Sequence, residues 1–208
     1  MAQLFTIHPV NPQPRLIRQA VEIIRGGGVI VYPTDSCYAL GCRLGDKAGV
    51  ERMRFIRQVD AHHYFTLVCR DLSEIATYAK VDNRQFRLLK AVTPGSYTFI
   101  LQATREVPKR LQHPSRRTVG LRVPDHRVVH ALLDELGEPL LSSTLLLPGD
   151  ALPLNEAYEI RERLGNLVDL ILDGGPCGIE PTTVVNLCGE TPVVMRAGRG
   201  STAPFGVQ

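Results

Sequence analysis

The segment 26–42, GGGVIVYPTDSCYALGC, permits few structures. Three glycines lead into the β-branched run Val29-Ile30-Val31, and Pro33, which cannot donate to a sheet ladder, closes it. That punctuation describes a short strand buried on both faces. Thr34, Asp35 and Ser36 then stand at its carboxyl end, the place where open α/β sheets bind ligands. An Asx or Ser/Thr turn is the simpler account of these three residues alone. A functional reading needs support from elsewhere in the chain.

The 208 residues suffice for one substantial core and are few for two, so a single domain over 1–208 is expected. No apolar run approaches the roughly 18 residues of a membrane span, and the first fifteen residues lack the apolar centre of a signal peptide. The expectation is a soluble, cytoplasmic protein with no membrane partner. Five cysteines, at 37, 42, 69, 177 and 188, include no Cys-x-x-Cys pair. Cys42, Cys69 and Cys188 sit in apolar runs and read as small core residues. Cys37, in the polar turn, is the candidate for reactivity. No tightly bound metal is expected.

Helical spacing of Leu16, Ile17, Ala20, Val21, Ile23 and Ile24 predicts a helix over 14–25, stopped by Gly26–Gly28. A second is expected over 47–58, with Val50, Met53 and Ile56 inward and Arg52, Arg54 and Arg57 outward. Further helices are expected at 72–78, 83–91, 127–136 (with Asp125 as its N-cap) and 155–164. Strands are expected at 4–7, 65–69, 97–102, 118–123, 139–143 and 168–172, with a closing pair at 183–187 and 192–195. The basic stretch 105–117 reads as a short helix and a loop, and 200–208 as a loose tail. The alternation is not strictly βαβ, which implies a mixed, twisted open sheet with helices packed on it.

Signatures of P-loops, dinucleotide folds, serine hydrolases and zinc peptidases are all missing. What remains is polar residues at strand ends: Thr34; Thr118 and Arg122, four apart on one strand face; Ser142, Ser143 and Thr144; Thr182 and Thr183; and Arg196. Arginine forks and threonine hydroxyls suit carboxylate and phosphate oxygens. Charge is also polarised. Residues 1–127 hold 20 Lys and Arg against 10 Asp and Glu, or +10, whereas 128–190 hold 2 against 11, or −9. A basic surface for a polyanion is one reading, and a mixed solvated surface the other.

The run Pro33-Thr34-Asp35-Ser36-Cys37-Tyr38-Ala39-Leu40-Gly41 resembles the Pro-Thr-Glu-Thr-x-Tyr-Gly-Leu-Gly signature of the YrdC-like superfamily of threonylcarbamoyl-adenylate synthases. The likeness continues through Thr93-Pro94-Gly95, Thr118-Val-Gly-Leu-Arg122-Val-Pro, Pro139-Leu-Leu-Ser-Ser-Thr, Pro181-Thr-Thr-Val-Val-Asn and Val194-Met-Arg196-Ala-Gly. Within the superfamily it is nearest to the YciO branch. The resemblance implies a twisted open α/β sheet around a large basic concave cavity. It also implies a reaction of ATP, L-threonine and bicarbonate that yields threonylcarbamoyl-AMP for tRNA modification. Thr34, Arg122 and Thr182 would hold threonine or a similar small carboxylate, with Ser142 contacting it through its backbone. Arg57, Thr118, Thr144 and Arg196 would hold the nucleotide, with Mg2+ accompanying ATP.

Three departures stand out. The family's Lys-x-Arg-Pro is here Arg57-Gln58-Val59-Asp60, a following lysine or asparagine is His63, and Ser-Ala-Asn is Thr144-Leu145-Leu146. His62 or His63 could stand in for the lost cation. Losing charged and amide donors aimed at a nucleotide leads to an expectation of weak or altered synthesis. The alternative is a binding protein for tRNA or double-stranded RNA without adenylate synthesis, using Arg54, Arg105, Lys109, Arg110, Arg116 and Arg117.

Overall fold

The computed structural model describes residues 1–60 and 63–206. In chain order they form β1 (Gln3–Thr6), α1 (Pro14–Arg25), β2 (Ile30–Tyr32), β3 (Ala39–Arg43), α2 (Lys47–Arg57), β4 (Thr66–Val68), α3 (Leu72–Tyr78), β5 (Ala79–Lys80) and α4 (Asn83–Val92). There follow β6 (Tyr97–Ala103), β7 (Thr118–Arg122), α5 (Arg127–Leu136), β8 (Leu140–Thr144), α6 (Ala157–Leu164), β9 (Leu170–Asp173), β10 (Thr183–Asn186) and β11 (Val193–Arg196). All the strands join one mixed sheet in the order β1-β9-β2-β3-β8-β4-β7-β6-β10-β11, with β5 paired to the end of β6. The expected mixed open sheet with flanking helices is what forms.

Local chemistry explains most of the boundaries. Proline at the start of α1 loses no intrahelical bond, and Ile17, Ala20, Val21 and Ile24 line its buried face. The Asp46 side chain accepts from Ala48 N at the start of α2, and Asp82 with Gln85 makes a full capping box on α4. Helix α5 departs from expectation. Its N-cap is His126, with no side-chain cap bond. The Asp125 amide instead donates to Asp35 Oδ2 (3.2 Å), which draws that residue toward the turn after β2.

Two apolar layers sandwich the sheet. On one face α1 and α5 pack over β9, β2, β3, β8 and Val68 of β4. On the other, Val50 and Met53 of α2, Ile75 of α3, Leu89 of α4 and Ile160 of α6 form the larger core. Past β4, none of the described helices covers the first face. There the sheet itself becomes the floor of a cleft.

The tail and β5 differ from expectation. The tail is docked: Phe205 is buried, its ring edge-on to Tyr97 (5.7 Å between centroids) and Phe99 (6.4 Å), because the two aromatics of β6 need a cover. Stretch 105–117 is, as expected, a loop with a short helix, the 3-10 turn Lys109–Leu111, anchored by buried Val107 and Leu111. Strand β5 escaped notice because two residues carry no periodicity.

Candidate functional site

Alternation along β7 places Thr118, Gly120 and Arg122 on the cleft side while Val119 and Leu121 enter the core. Arg122 is almost wholly buried, and a buried guanidinium requires partners. The turn after β2 supplies them. Asp35 Oδ1 accepts from Arg122 Nη2, and Ser36 Oγ accepts from Nη1 and Nη2 at 3.4 Å. Asp35 is fixed in turn by Ser96 Oγ (3.0 Å) and the Asp125 amide. Thr34 Oγ1 donates to Cys37 O (2.6 Å) and accepts from the Ser36 and Cys37 amides. These contacts leave Arg122 Nε buried with no partner.

A second guanidinium comes from the last turn of α2. Arg57 Nη1 donates to Ser143 Oγ (2.5 Å) and Thr144 O (2.6 Å), while its Nε is buried with no partner among the described residues. Burial lowers the Arg57 pKa, as it must for a cation moved out of water. Arg196 donates to Thr182 O (2.8 Å), and the Thr182 and Thr98 hydroxyls share a 2.9 Å bond.

Arg57, Arg122 and Arg196, with Arg116 at the rim, line one cleft of about 700 Å³. No aspartate or glutamate is among its described lining residues. Thr66, Thr98, Thr118, Thr144 and Thr182 add hydroxyls. Such a surface suits a ligand carrying more than one anionic group.

The family Sua5_yciO_yrdC, described as Telomere recombination, matches residues 22–198. The chain belongs to the Sua5/YciO/YrdC family. It is 57% identical over 205 residues to YciO of Escherichia coli (strain K12), covering 99% of this chain and 100% of that one. The crystal structure of E. coli YciO superposes with a TM-score of 0.95. Threonylcarbamoyl-AMP synthase of Nitrosococcus oceani is 33% identical over 159 residues, 76% of this chain and 85% of its own. P. abyssi Sua5 complexed with L-threonine has the same fold, with a TM-score of 0.86 at 24% identity over 94% of this chain and 57% of that one.

On this Sua5/YciO/YrdC fold, seven of the residues expected at the site do converge: Arg57, Thr118, Arg122, Ser142, Thr144, Thr182 and Arg196 all line the cleft. Thr34 does not. Its hydroxyl is consumed inside the turn, so it supports Asp35 and Ser36 rather than facing a ligand. The Ser142 hydroxyl donates to Leu40 O (3.0 Å) and accepts from Tyr32 (2.6 Å), which leaves the expected backbone contact of Ser142 untouched. Arg57, outward by helix spacing but at the nucleotide by the resemblance, reaches into the cleft. His63 lines it as well, whereas His62 lies outside the described residues.

Among the expected RNA contacts, Arg105, Lys109, Arg110, Arg116 and Arg117 are exposed on the segment joining β6 to β7. Arg110 donates to Gly45 O. Arg54 differs, being half-buried over the Phe65 ring (5.8 Å) and paired with Glu51 at 2.6 Å. Cys37 is buried and its thiol is pushed up to about 11 by desolvation, the opposite of an activated nucleophile. The roles of Asp35, Ser36 and Thr98 went unread. Asp35 was visible as an acid at a strand end, but nothing local shows that its partner lies 87 residues away.

Proposed function

We propose that the cleft takes up ATP and a small amino-acid carboxylate together and joins them, as a threonylcarbamoyl-AMP synthase of reduced or altered activity. The observation that carries this reading is the set of arginines converging on a cleft whose described lining contains no carboxylate. L-threonine and bicarbonate would give a carbamate with loss of water. One carbamate oxygen then bonds to the α-phosphorus of ATP as the bond to pyrophosphate breaks. In-line displacement of this kind needs alignment and charge neutralisation rather than a covalent nucleophile.

Each pinned arginine has a part in this scheme. Arg122, held by Asp35 and Ser36 at the cleft wall, supplies the positive charge for the amino-acid carboxylate. Arg57 and Arg196 face the phosphates, with the Thr118 and Thr144 hydroxyls beside them. Magnesium would arrive on the polyphosphate, whose hard oxygens suit it, since none of the described His, Cys, Asp and Glu side chains group to hold a metal. It would neutralise phosphate charge. Leu146, where the family carries an amide, presents an aliphatic chain to the cleft. That exchange supports a slower reaction.

The test is pyrophosphate release from ATP, L-threonine and bicarbonate. The reading expects a rate above that of the Arg122→Ala variant. Equal rates for the two proteins would end it.

A second reading, binding of tRNA or double-stranded RNA, rests on the exposed cations of segment 104–117, of which Arg116 lines the cleft. Duplex affinity should then fall steeply with added salt. A flat salt response would remove this reading.

A further inference from the structure

The centre of the cleft floor is a glycine. The strand register runs Ser142 of β8, Thr66 of β4, Gly120 of β7, Ile100 of β6 and Asn186 of β10 in one row across the sheet. All five line the cleft. Gly120 is flanked along its own strand by Thr118 and Arg122, about 6–7 Å to either side at the usual strand rise. The Arg57 anchor, Thr144, lies two strands away, about 10 Å in the direction of strand pairing. Gly120 therefore sits between the Arg122 end of the cleft and the Arg57 end.

The fold does not require a glycine there. Its backbone is ordinary strand, outside the left-handed region. A methyl built on its Cα would stand 3.4 Å from Thr66 Oγ1 and 3.5 Å from Thr98 Cγ2, close to normal contact. Glycine inside a strand weakens it relative to alanine, and a persistent reason for one is close approach of something to the backbone. On its open side this glycine faces the cleft, where a ligand would approach.

We infer that Gly120 is the specificity-determining position of the floor: its missing side chain lets a two-part anionic ligand lie across β7, with the atoms that join the two parts over the bare Cα. The inference rests on the reading of the cleft as a site for ATP and an amino-acid carboxylate. A methyl at 120 would project between the two halves and separate them, while leaving each cationic end intact.

The experiment compares wild type with Gly120→Ala by calorimetry, using ATP alone, L-threonine alone, and ATP in the presence of saturating L-threonine, with melting temperature as the control. The expected result is a melting temperature equal to or above wild type and single-ligand affinities within about threefold. ATP affinity in the presence of threonine should fall by about tenfold or more, equal to ~1.4 kcal/mol. Equal ATP affinity in the two proteins under saturating threonine would overturn the inference while leaving the site reading intact. A marked fall in melting temperature would also overturn it, by showing that the glycine serves folding. Wild-type protein that takes up neither ligand would remove the site reading itself, and this inference with it.

Discussion

Asp35 and Arg122 form an ion pair in which both side chains are under a tenth exposed, at 9% and 8%. Their residues are 87 apart in the chain, Asp35 in the turn after β2 and Arg122 the last residue of β7. Burying two charges is costly unless geometry and further hydrogen bonds compensate. Here Ser96, Ser36 and the Asp125 amide supply those bonds. Both terminal nitrogens of Arg122 are held, by Asp35 and Ser36, while the residue lines the cleft.

Removing one partner should hurt more than replacing both. Asp35→Ala strands a buried guanidinium and is expected to cost about 3–5 kcal/mol in urea unfolding. Asp35→Ala combined with Arg122→Met removes the stranded charge. The double variant should be more stable than Asp35→Ala alone, and a double variant weaker by the full sum of the two single changes would contradict this description of the pair.

Arg57 binds the end of β8 and faces the cleft at once. Arg57→Ala should lower ATP affinity by about 10- to 100-fold, the range of roughly 1.5–3 kcal/mol for a charged hydrogen bond. Arg57→Lys keeps the charge but not the fork, so it should recover only part of the loss. Isothermal titration of the three proteins checks the order.

Two histidines make stability pH-dependent. Burial holds His63 below its ordinary pKa, with Arg57 and Arg54 reinforcing the effect and Asp60 opposing it. Burial likewise lowers His126, while Asp35 pulls the other way. The unfolded chain thus binds protons near pH 6.5 that the folded chain refuses, and stability is full above that pH and declines as the pH drops below it. Melting temperature should fall from about pH 7 to pH 5. His63→Gln should flatten part of that slope.

Thiol chemistry should be slow. Burial pushes Cys37 and Cys177 up to about 11 and leaves little thiolate at neutral pH. Mass spectrometry after brief iodoacetamide treatment of the folded protein should find both unmodified, and rapid labelling of Cys37 would show the turn to be open.

How far the sequence reveals all this depends on range. Helix α1 is legible to the residue because Pro14, four buried apolar positions and the glycines after Arg25 are all local signals. The convergence of Thr118 and Arg122 follows from strand alternation alone. Thr34 misleads because a hydroxyl that caps its own turn looks, in sequence, like one that faces a ligand. The docked tail was missed because Phe205 is a lone aromatic among small residues, and only the fold brings Tyr97 and Phe99 beneath it. Arg57 reads as an outward helix residue until β8 is seen to end beside it.

The most direct test is calorimetric titration of ATP and of L-threonine into wild type and Arg122→Ala. The cleft described above predicts that wild type binds both. The variant should keep ATP within a few-fold and lose threonine by about tenfold or more. Undiminished threonine binding to Arg122→Ala would contradict the assignment of the buried guanidinium to the carboxylate, and with it the account of the cleft.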